Sequence, residues 1–414
     1  MRIQRDRYLK ELISSKGNKL IKIITGIRRC GKSYLLDPIF KEHLLSTGIQ
    51  DDHIIKINLD ERRNRKYRNP DLLDTEVRKR IVDDDIYYLL LDEIQLVDDF
   101  ESVLNGFLRI NNLDIYVTGS NSKFLSSDII TEFRGRGEQI RIYPLSFKEY
   151  FSAVEMDKRD AFESYLVYGG MPLILSMKSD IKKANYLKQL FDLTYTKDII
   201  DRNNIKKSDV LERLIDILAS SVGSLTNPNK LLNTFRSSGY KDLSRNTVDL
   251  YLSYLTDSFL IEKVDRYNIK GKKYIQTPSK YYFADVGLRN ARLNFRQIEE
   301  NHILENIVYL ELVRRGYNVD VGVVEIYDKN TRMQLEIDFV CNQGDKRYYI
   351  QTTLNLSARE KTLKEERPLL NITDNFKKII IVKGTKIPRY TEEGILVMGI
   401  IDFLLNDNSL EVLF

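Results

Sequence analysis

The chain has 414 residues, enough for two to four domains at roughly 100–200 residues each. Hydrophobic residues make up 42% and charged residues 30%; two cysteines and three scattered histidines exclude a disulfide framework and argue against a zinc centre. With 65 basic against 60 acidic residues the net charge is only +5, which permits nucleic-acid binding without demanding it.

The first residues, Met1-Arg2-Ile3-Gln4-Arg5-Asp6-Arg7-Tyr8, are charged and lack the apolar stretch of a signal peptide. No apolar run approaches the ~20 residues of a membrane span. A reducing cytoplasm is the expected location.

Leu20-Ile21-Lys22-Ile23-Ile24-Thr25 reads as a buried strand. It runs into Gly26-Ile27-Arg28-Arg29-Cys30-Gly31-Lys32-Ser33, a full G-x-x-x-x-G-K-[ST] phosphate loop. Tyr34 and the residues toward Phe40 and Leu44 follow at helical spacing. Glycines let the backbone wrap a triphosphate, and successive N–H groups at a helix start supply positive potential. Lys32 is placed to reach the β- and γ-phosphates, and Ser33 to ligate Mg²⁺. ATP and Mg²⁺ are the expected cofactors.

His53 to Leu59 reads as a strand, and Glu61 to Arg68 as a polar surface loop. The strand Ile86 to Leu91 ends in Asp92-Glu93, an apolar run closed by two acids. Asp92 can hold Mg²⁺ and Glu93 can polarise the attacking water. A helical segment near 99–110 leads to the strand Leu113 to Val117. After it, Thr118, Ser120 or Asn121 can sense the γ-phosphate and orient water; capping of the next helix is the competing role. Glu132 to Gly137 carries Arg134 and Arg136, either of which can face a neighbouring subunit's γ-phosphate or lie solvated. Ile140 to Tyr143 closes a parallel sheet with helices on both faces.

From 146 to 205 the pattern is helical, broken at Gly169-Gly170-Met171-Pro172. Residues 206–285 read as a helical module ending in a hairpin. Ser244 caps a helix whose Val248, Tyr251, Leu252 and Leu255 share one face, leaving Arg245, Asn246 and Asp249 off it. The hairpin carries a basic loop: Arg266, Lys270, Gly271, Lys272 and Lys273. Helix plus basic hairpin suits a winged helix on double-stranded DNA. It suits packing or protein contact equally, and Asp249 weighs mildly against tight DNA reading. A further α/β pattern fills roughly 300–405.

Ile24 to Ser33, Leu91-Asp92-Glu93-Ile94-Gln95, Thr118-Gly119-Ser120-Asn121, Gly135-Arg136 and Pro144 to Tyr150 together resemble the prokaryotic AAA+ ATPases. The subgroup resembled is the archaeal-type one with a C-terminal domain of unknown function. Tyr168 to Pro172 and Tyr282 to Leu288 are similar to its later signatures. The resemblance implies an ATPase core over 1–145, a helical lid over 146–205, a winged helix over 206–290 and a nuclease-like domain over 291–414. It also favours Arg136 over Arg134 as the finger arginine.

The last domain looks like the restriction-endonuclease fold, whose active members read Asp and then Glu-x-Lys. Glu305 lies on an amphipathic helix and Asp338 holds the first strand position, but Gln351 and Thr353 replace the acid and the lysine. Metal-assisted phosphodiester cleavage needs carboxylates for Mg²⁺ and a cation for developing charge, so cleavage is expected to be lost or weak. Glu305 and Glu336 could compensate in part, Glu336 facing the same side of the strand as Asp338. Lys361, Lys364, Lys377 and Lys378 could leave a DNA-facing surface, or simply lie solvated. The expected activity is ATP hydrolysis coupled to domain movement, with DNA as one partner; a nucleotide-gated switch on a protein, and an ATP-regulated nuclease, are the alternatives.

Overall fold

The fold is known from a computed structural model that describes residues 3–119, 133, 135–296, 298–328, 331–356 and 359–411. The chain forms two compact units, Met1–Pro144 with Asp257–Phe259, and Leu145–Thr256 with Leu260–Phe414.

The first unit opens with α1 (Asp6–Ser14) and β1 (Ile21–Thr25), followed by α2 (Lys32–Tyr34) and α3 (Lys41–Ser46). Then come β2 (Ile54–Asn58), α4 (Pro70–Arg80), β3 (Tyr87–Asp92), α5 (Phe100–Phe107), β4 (Leu113–Thr118) and β5 (Gly137–Arg141). The strands make a five-stranded sheet in the order β2-β3-β4-β1-β5, every pairing parallel. The inner strands β1 and β3 are buried along their whole length, as their apolar runs require. Ile21, Ile23, Leu89, Leu91, Ile115 and Val117 pack with Leu104 and Phe107 of α5 into the core.

Three expectations fail here. Residues Arg62–Arg68 form a 3₁₀ helix instead of an open loop, because Tyr67 is buried and Arg68 Nε donates to the Leu59 carbonyl at 2.9 Å. The helix after the phosphate loop is broken by a kink within Leu35–Phe40: Asp37 is extended (φ −146°, ψ 119°) before Pro38, which has no N–H to continue the ladder. The fifth strand starts at Gly137, not Ile140, since backbone pairing runs from Ile21↔Gly137 to Thr25↔Arg141.

The second unit begins with helices α6 (Phe147–Phe151), α7 (Lys158–Tyr168), α8 (Asp180–Leu190) and α9 (Lys197–Arg202). Three more, α10 (Ser208–Ser220), α11 (Pro228–Ser237) and α12 (Arg245–Asp257), precede the hairpin β6 (Ile261–Asn268) and β7 (Lys273–Phe283). After α13 (Val286–Arg292) and α14 (Glu300–Arg314) come β8 (Asn318–Asp328), β9 (Thr331–Gln343) and β10 (Lys346–Thr353). The chain closes with α15 (Arg359–Leu370), β11 (Lys377–Val382), β12 (Arg389–Tyr390), β13 (Leu396–Gly399) and α16 (Ile400–Leu405).

One eight-stranded sheet, β12-β13-β11-β10-β9-β8-β6-β7, runs through this unit. Strand β6 pairs in parallel with β8 over Arg266↔Val321 to Asn268↔Val323. The hairpin is thus stitched into the terminal sheet across residue 290. Arg266, expected in the basic loop, sits in β6 and is buried, its Nη2 donating to Gln334 Oε1 at 2.7 Å. Lys377 and Lys378 donate to the carbonyls of Leu410 and Ile372, each at 3.0 Å, and so tie strand β11 down rather than face outward.

Candidate functional site

The phosphate loop leaves the end of β1 with Gly26 at φ 144°, Arg29 at φ 65° and Gly31 at φ 106°. At Gly26 a side chain is shut out on both counts: the φ disfavours it, and a Cβ would lie 2.2 Å from the Ile142 carbonyl oxygen. Ile27 and Cys30 are buried beneath the loop, while Arg28, Arg29 and Ser33 are exposed and Gly31 and Tyr34 half-buried. Lys32 is buried, and its ammonium donates to the Gly26 and Ile27 carbonyls, each at 3.0 Å. The lysine therefore lies folded across its own loop.

Asp92 ends β3, and side chains from two other elements converge on it. Ser33 Oγ donates to Asp92 Oδ1 at 3.0 Å, and Thr118 Oγ1, at the end of β4, donates to the same oxygen. Thr118 Oγ1 in turn accepts the Glu93 N–H at 3.0 Å. Burial pushes the Asp92 carboxyl above its ordinary value; the Thr118 and Ser33 hydroxyls pull it back, and the Glu93 charge adds to the rise. A carboxylate so placed gains from a cation beside it, and Ser33 Oγ with Asp92 Oδ1 is an oxygen pair that could hold a divalent cation. Glu93 has left-handed backbone, φ 59° and ψ 48°, a conformation that a non-glycine residue adopts only when its surroundings hold it. Its Oε2 accepts from Gln95 Nε2, so the side chain of Glu93 is held by a neighbour two residues on.

Arg136 is exposed and its Nη1 donates to Asn105 Oδ1 of α5 at 3.0 Å. Ser120, Asn121 and Arg134 lie outside the described residues.

The second unit assembles another polar cluster. Glu305 of α14 and Asp338 of β9 are both buried. Between them stands Lys280 of β7, itself 2% exposed, which the sequence reading passed over. Its Nζ lies 2.7 Å from Glu305 Oε1, 2.8 Å from Glu336 Oε1 and 4.0 Å from Asp338 Oδ1. The Tyr282 hydroxyl donates to Glu305 Oε1 at 2.6 Å. Asp338 Oδ2 accepts both the N–H and the hydroxyl of Thr352, each at 2.7 Å, and the Asp338 N–H donates to Gln351 Oε1 at 3.3 Å. Burial and the Glu305 charge push Asp338 up to about 7, against the pull of Lys280 and Thr352. Burial opposes the Lys280 ammonium, but Glu305, Asp338 and Glu336 outweigh it and hold the proton on.

Glu305, Glu336, Asp338 and Gln351 are thus brought together, and Thr353 is not: its hydroxyl turns to the Asn355 carbonyl at 3.3 Å. A signal for Lys280 was in the sequence. It is a lone cation at the start of the apolar run Tyr281-Tyr282-Phe283, and it shares a strand face with Tyr282.

Arg245 pairs with Asp249 one helical turn on, Nε to Oδ2 at 3.4 Å, and Asn246, Lys270, Lys272 and Lys273 are exposed. Among the described residues, one trio, His53, Asp83 and Asp85, brings a ligand atom from each within 4.8 Å of the others. Both ring nitrogens of His53 are already in hydrogen bonds, to Asp52 at 2.9 Å and Asp83 at 3.3 Å. No helix among the described residues is long and apolar enough to cross a membrane.

Residues 18–151 match a family described as "AAA domain". Residues 159–299 and 300–403 match two domains of unknown function, DUF8612 and DUF4143. An uncharacterized protein of Haemophilus influenzae is 34% identical over 409 residues, spanning 97% of this chain and 98% of that protein. An uncharacterized protein of Methanocaldococcus jannaschii is 30% identical over 412 residues, spanning 95% of this chain and 86% of that one. The structure of the Aeropyrum pernix ORC1 protein in complex with DNA is 14% identical and covers 70% of this chain and 92% of that one. Its TM-score is 0.29.

Proposed function

Because this chain belongs to the family of AAA-domain proteins that includes the Haemophilus influenzae and Methanocaldococcus jannaschii relatives, we propose that it binds and hydrolyses ATP with Mg²⁺. The observation that carries the reading is the convergence of Ser33 and Thr118 on Asp92 beside the Gly26–Ser33 loop. Mg²⁺, held by Ser33 and Asp92, would neutralise phosphate charge. Lys32 would leave the Gly26 and Ile27 carbonyls and turn its ammonium to the β- and γ-phosphates. The N–H groups of Ile27 to Lys32, with Ser33 and Tyr34 following, would line the phosphates. Glu93 would take the proton of the attacking water once Gln95 releases it, and Thr118 would keep Asp92 and Glu93 in register. Asn121 is our choice to orient that water. Arg136 would reach a second copy's γ-phosphate only by giving up Asn105.

The nucleotide cycle would move a helical lid (146–205) and a winged helix (206–290), three helices and a hairpin in that order. Exposed Lys270, Lys272 and Lys273, with Arg245 and Asn246, would touch DNA phosphates. The Arg245–Asp249 pair and the stitching of β6 to β8 favour a second reading, in which the module acts on a protein partner. We read 291–414 as a nuclease-like domain without cutting activity, since neither Gln351 nor Thr353 supplies a charge.

The test is ATP turnover with and without double-stranded DNA, alongside binding of a fluorescent ATP analogue. Lys32→Ala should abolish binding or turnover, and Glu93→Gln should bind but not turn over. Unchanged turnover in Lys32→Ala would refute the ATPase; turnover indifferent to DNA would select the protein-directed switch.

A further inference from the structure

We propose that Lys280 is the built-in cation of the terminal domain: it takes the place of a divalent metal among Glu305, Glu336 and Asp338 and keeps that cluster metal-free. The inference deepens our reading of 291–414 as a nuclease-like domain that does not cut. It stands apart from the ATPase.

Two buried carboxylates, Glu305 and Asp338, with the half-exposed Glu336 beside them, carry a charge that a low-dielectric interior does not leave uncompensated. A divalent cation is one remedy, and it draws oxygens to 2.0–2.6 Å in a shell of six or more. The geometry here is that of an ammonium. Nζ stands 2.7 and 2.8 Å from two carboxylate oxygens on different elements, the N⁺–H···O⁻ distance of a charge-assisted hydrogen bond. Glu305 Oε1 is taken twice, by Lys280 and by the Tyr282 hydroxyl. Asp338 Oδ2 is taken twice as well, by Thr352. Glu305, Glu336 and Asp338 do not form a trio within 4.8 Å, as His53, Asp83 and Asp85 do. The ammonium sits between them and holds them apart.

Three elements are joined by this one side chain. Lys280 comes from the hairpin strand β7, Glu305 from α14, and Glu336 and Asp338 from β9. The cation is supplied by the hairpin in cis, where a nuclease would draw a metal from solution. The cluster therefore fastens the hairpin to the terminal fold instead of activating water.

The test is Mn²⁺ binding to the nucleotide-free full chain, followed by the loss of the free-ion electron paramagnetic resonance signal. Asp338→Asn marks the ions that belong to this cluster. The wild type should show no Mn²⁺ binding sensitive to Asp338→Asn. Lys280→Met, of similar length and neutral, should gain one ion with at least ten-fold tighter affinity, lost again in Lys280→Met/Asp338→Asn. Wild-type Mn²⁺ binding that Asp338→Asn removes would overturn the proposal. So would a folded Lys280→Met that gains no ion. Should Lys280→Met fail to fold, the wild-type and Asp338→Asn arm decides alone.

Discussion

Asp285 holds Gly170 across 115 positions of sequence: the Gly170 N–H donates to Asp285 Oδ2 at 2.7 Å, while Oδ1 accepts the Leu288 N–H at 3.0 Å and caps α13. One carboxylate thus joins the Gly169-Gly170 break after α7 to the start of α13. The two sequence signatures Tyr168 to Pro172 and Tyr282 to Leu288 are the two halves of this joint.

Stability should depend on pH through that carboxylate. Burial pushes Asp285 from 3.8 up to about 6, against the pull of the Gly170 and Leu288 N–H groups. The folded state then holds the proton more tightly than the unfolded chain, so its contribution is complete below pH about 4 and is lost as pH rises through about 6. The swing is roughly 3 kcal/mol for a group this buried. Urea denaturation of wild type and Asp285→Asn between pH 4 and 8 measures it. The difference between the two curves should slope over that window, and a flat difference would refute the assignment.

Gly287→Ala should be far more damaging than its size suggests. A Cβ there would lie 2.0 Å from the Tyr168 carbonyl oxygen and 2.3 Å from its carbon, both backbone atoms that cannot swing aside. We expect a loss of more than about 3 kcal/mol, the range of severe overpacking or worse. Soluble yield and thermal melting check it, and a variant melting within a few degrees of wild type would contradict it.

Thr118→Val should separate binding from turnover. It removes the hydroxyl that bonds Asp92 and receives the Glu93 N–H while keeping the side chain's shape. Turnover should fall by about 10–100-fold, as for other groups that orient a metal ligand, with affinity for an ATP analogue changed much less. Equal losses in both would mean that Thr118 serves binding alone.

The sheet of the first unit hides a charge pair. Lys22 of β1 is fully buried, and its ammonium pairs with Asp114 of β4 and donates to the Leu20 carbonyl at 2.8 Å. Lys22→Met leaves the buried Asp114 carboxylate without its counter-charge, bonded by the Gly17 N–H and the Tyr116 hydroxyl alone, and should destabilise by about 3–5 kcal/mol. The double variant Lys22→Met/Asp114→Leu should recover most of that in the same denaturation assay. Failure to recover would place the energy elsewhere.

The parts of the fold legible in sequence are those whose burial is written as unbroken apolar runs. Strands β1 and β3 read plainly, and with them the loop and the acids Asp92 and Glu93 that their ends project. Strand β5 was misplaced because Gly137, Glu138 and Gln139 carry no hydrophobic pattern; backbone pairing to β1 makes them a strand. Arg62–Arg68 looked like a solvated loop because its one anchor, Tyr67, is a single residue among charges. In the candidate sites, spacing found Ser33 and Asp92, which follow the ends of β1 and β3, two strands of a regular sheet with only β4 between them. Spacing alone marks Lys280 only as a cation heading an apolar run; its partners lie on α14 and β9 and meet it through tertiary packing. Arg266 misled for the complementary reason: a charge near a turn reads as solvent-facing unless its strand register is known.

The pairing of β6 with β8 makes the terminal domain inseverable. A fragment starting near residue 291 would present β8 with an open edge where Arg266 to Asn268 had been, inviting other chains to add to it. It would also carry Glu305 and Asp338 without their lysine. Grafting, trimming or exchanging this region by protein engineering therefore has to begin upstream of Ile261, with the hairpin carried along as part of the cargo.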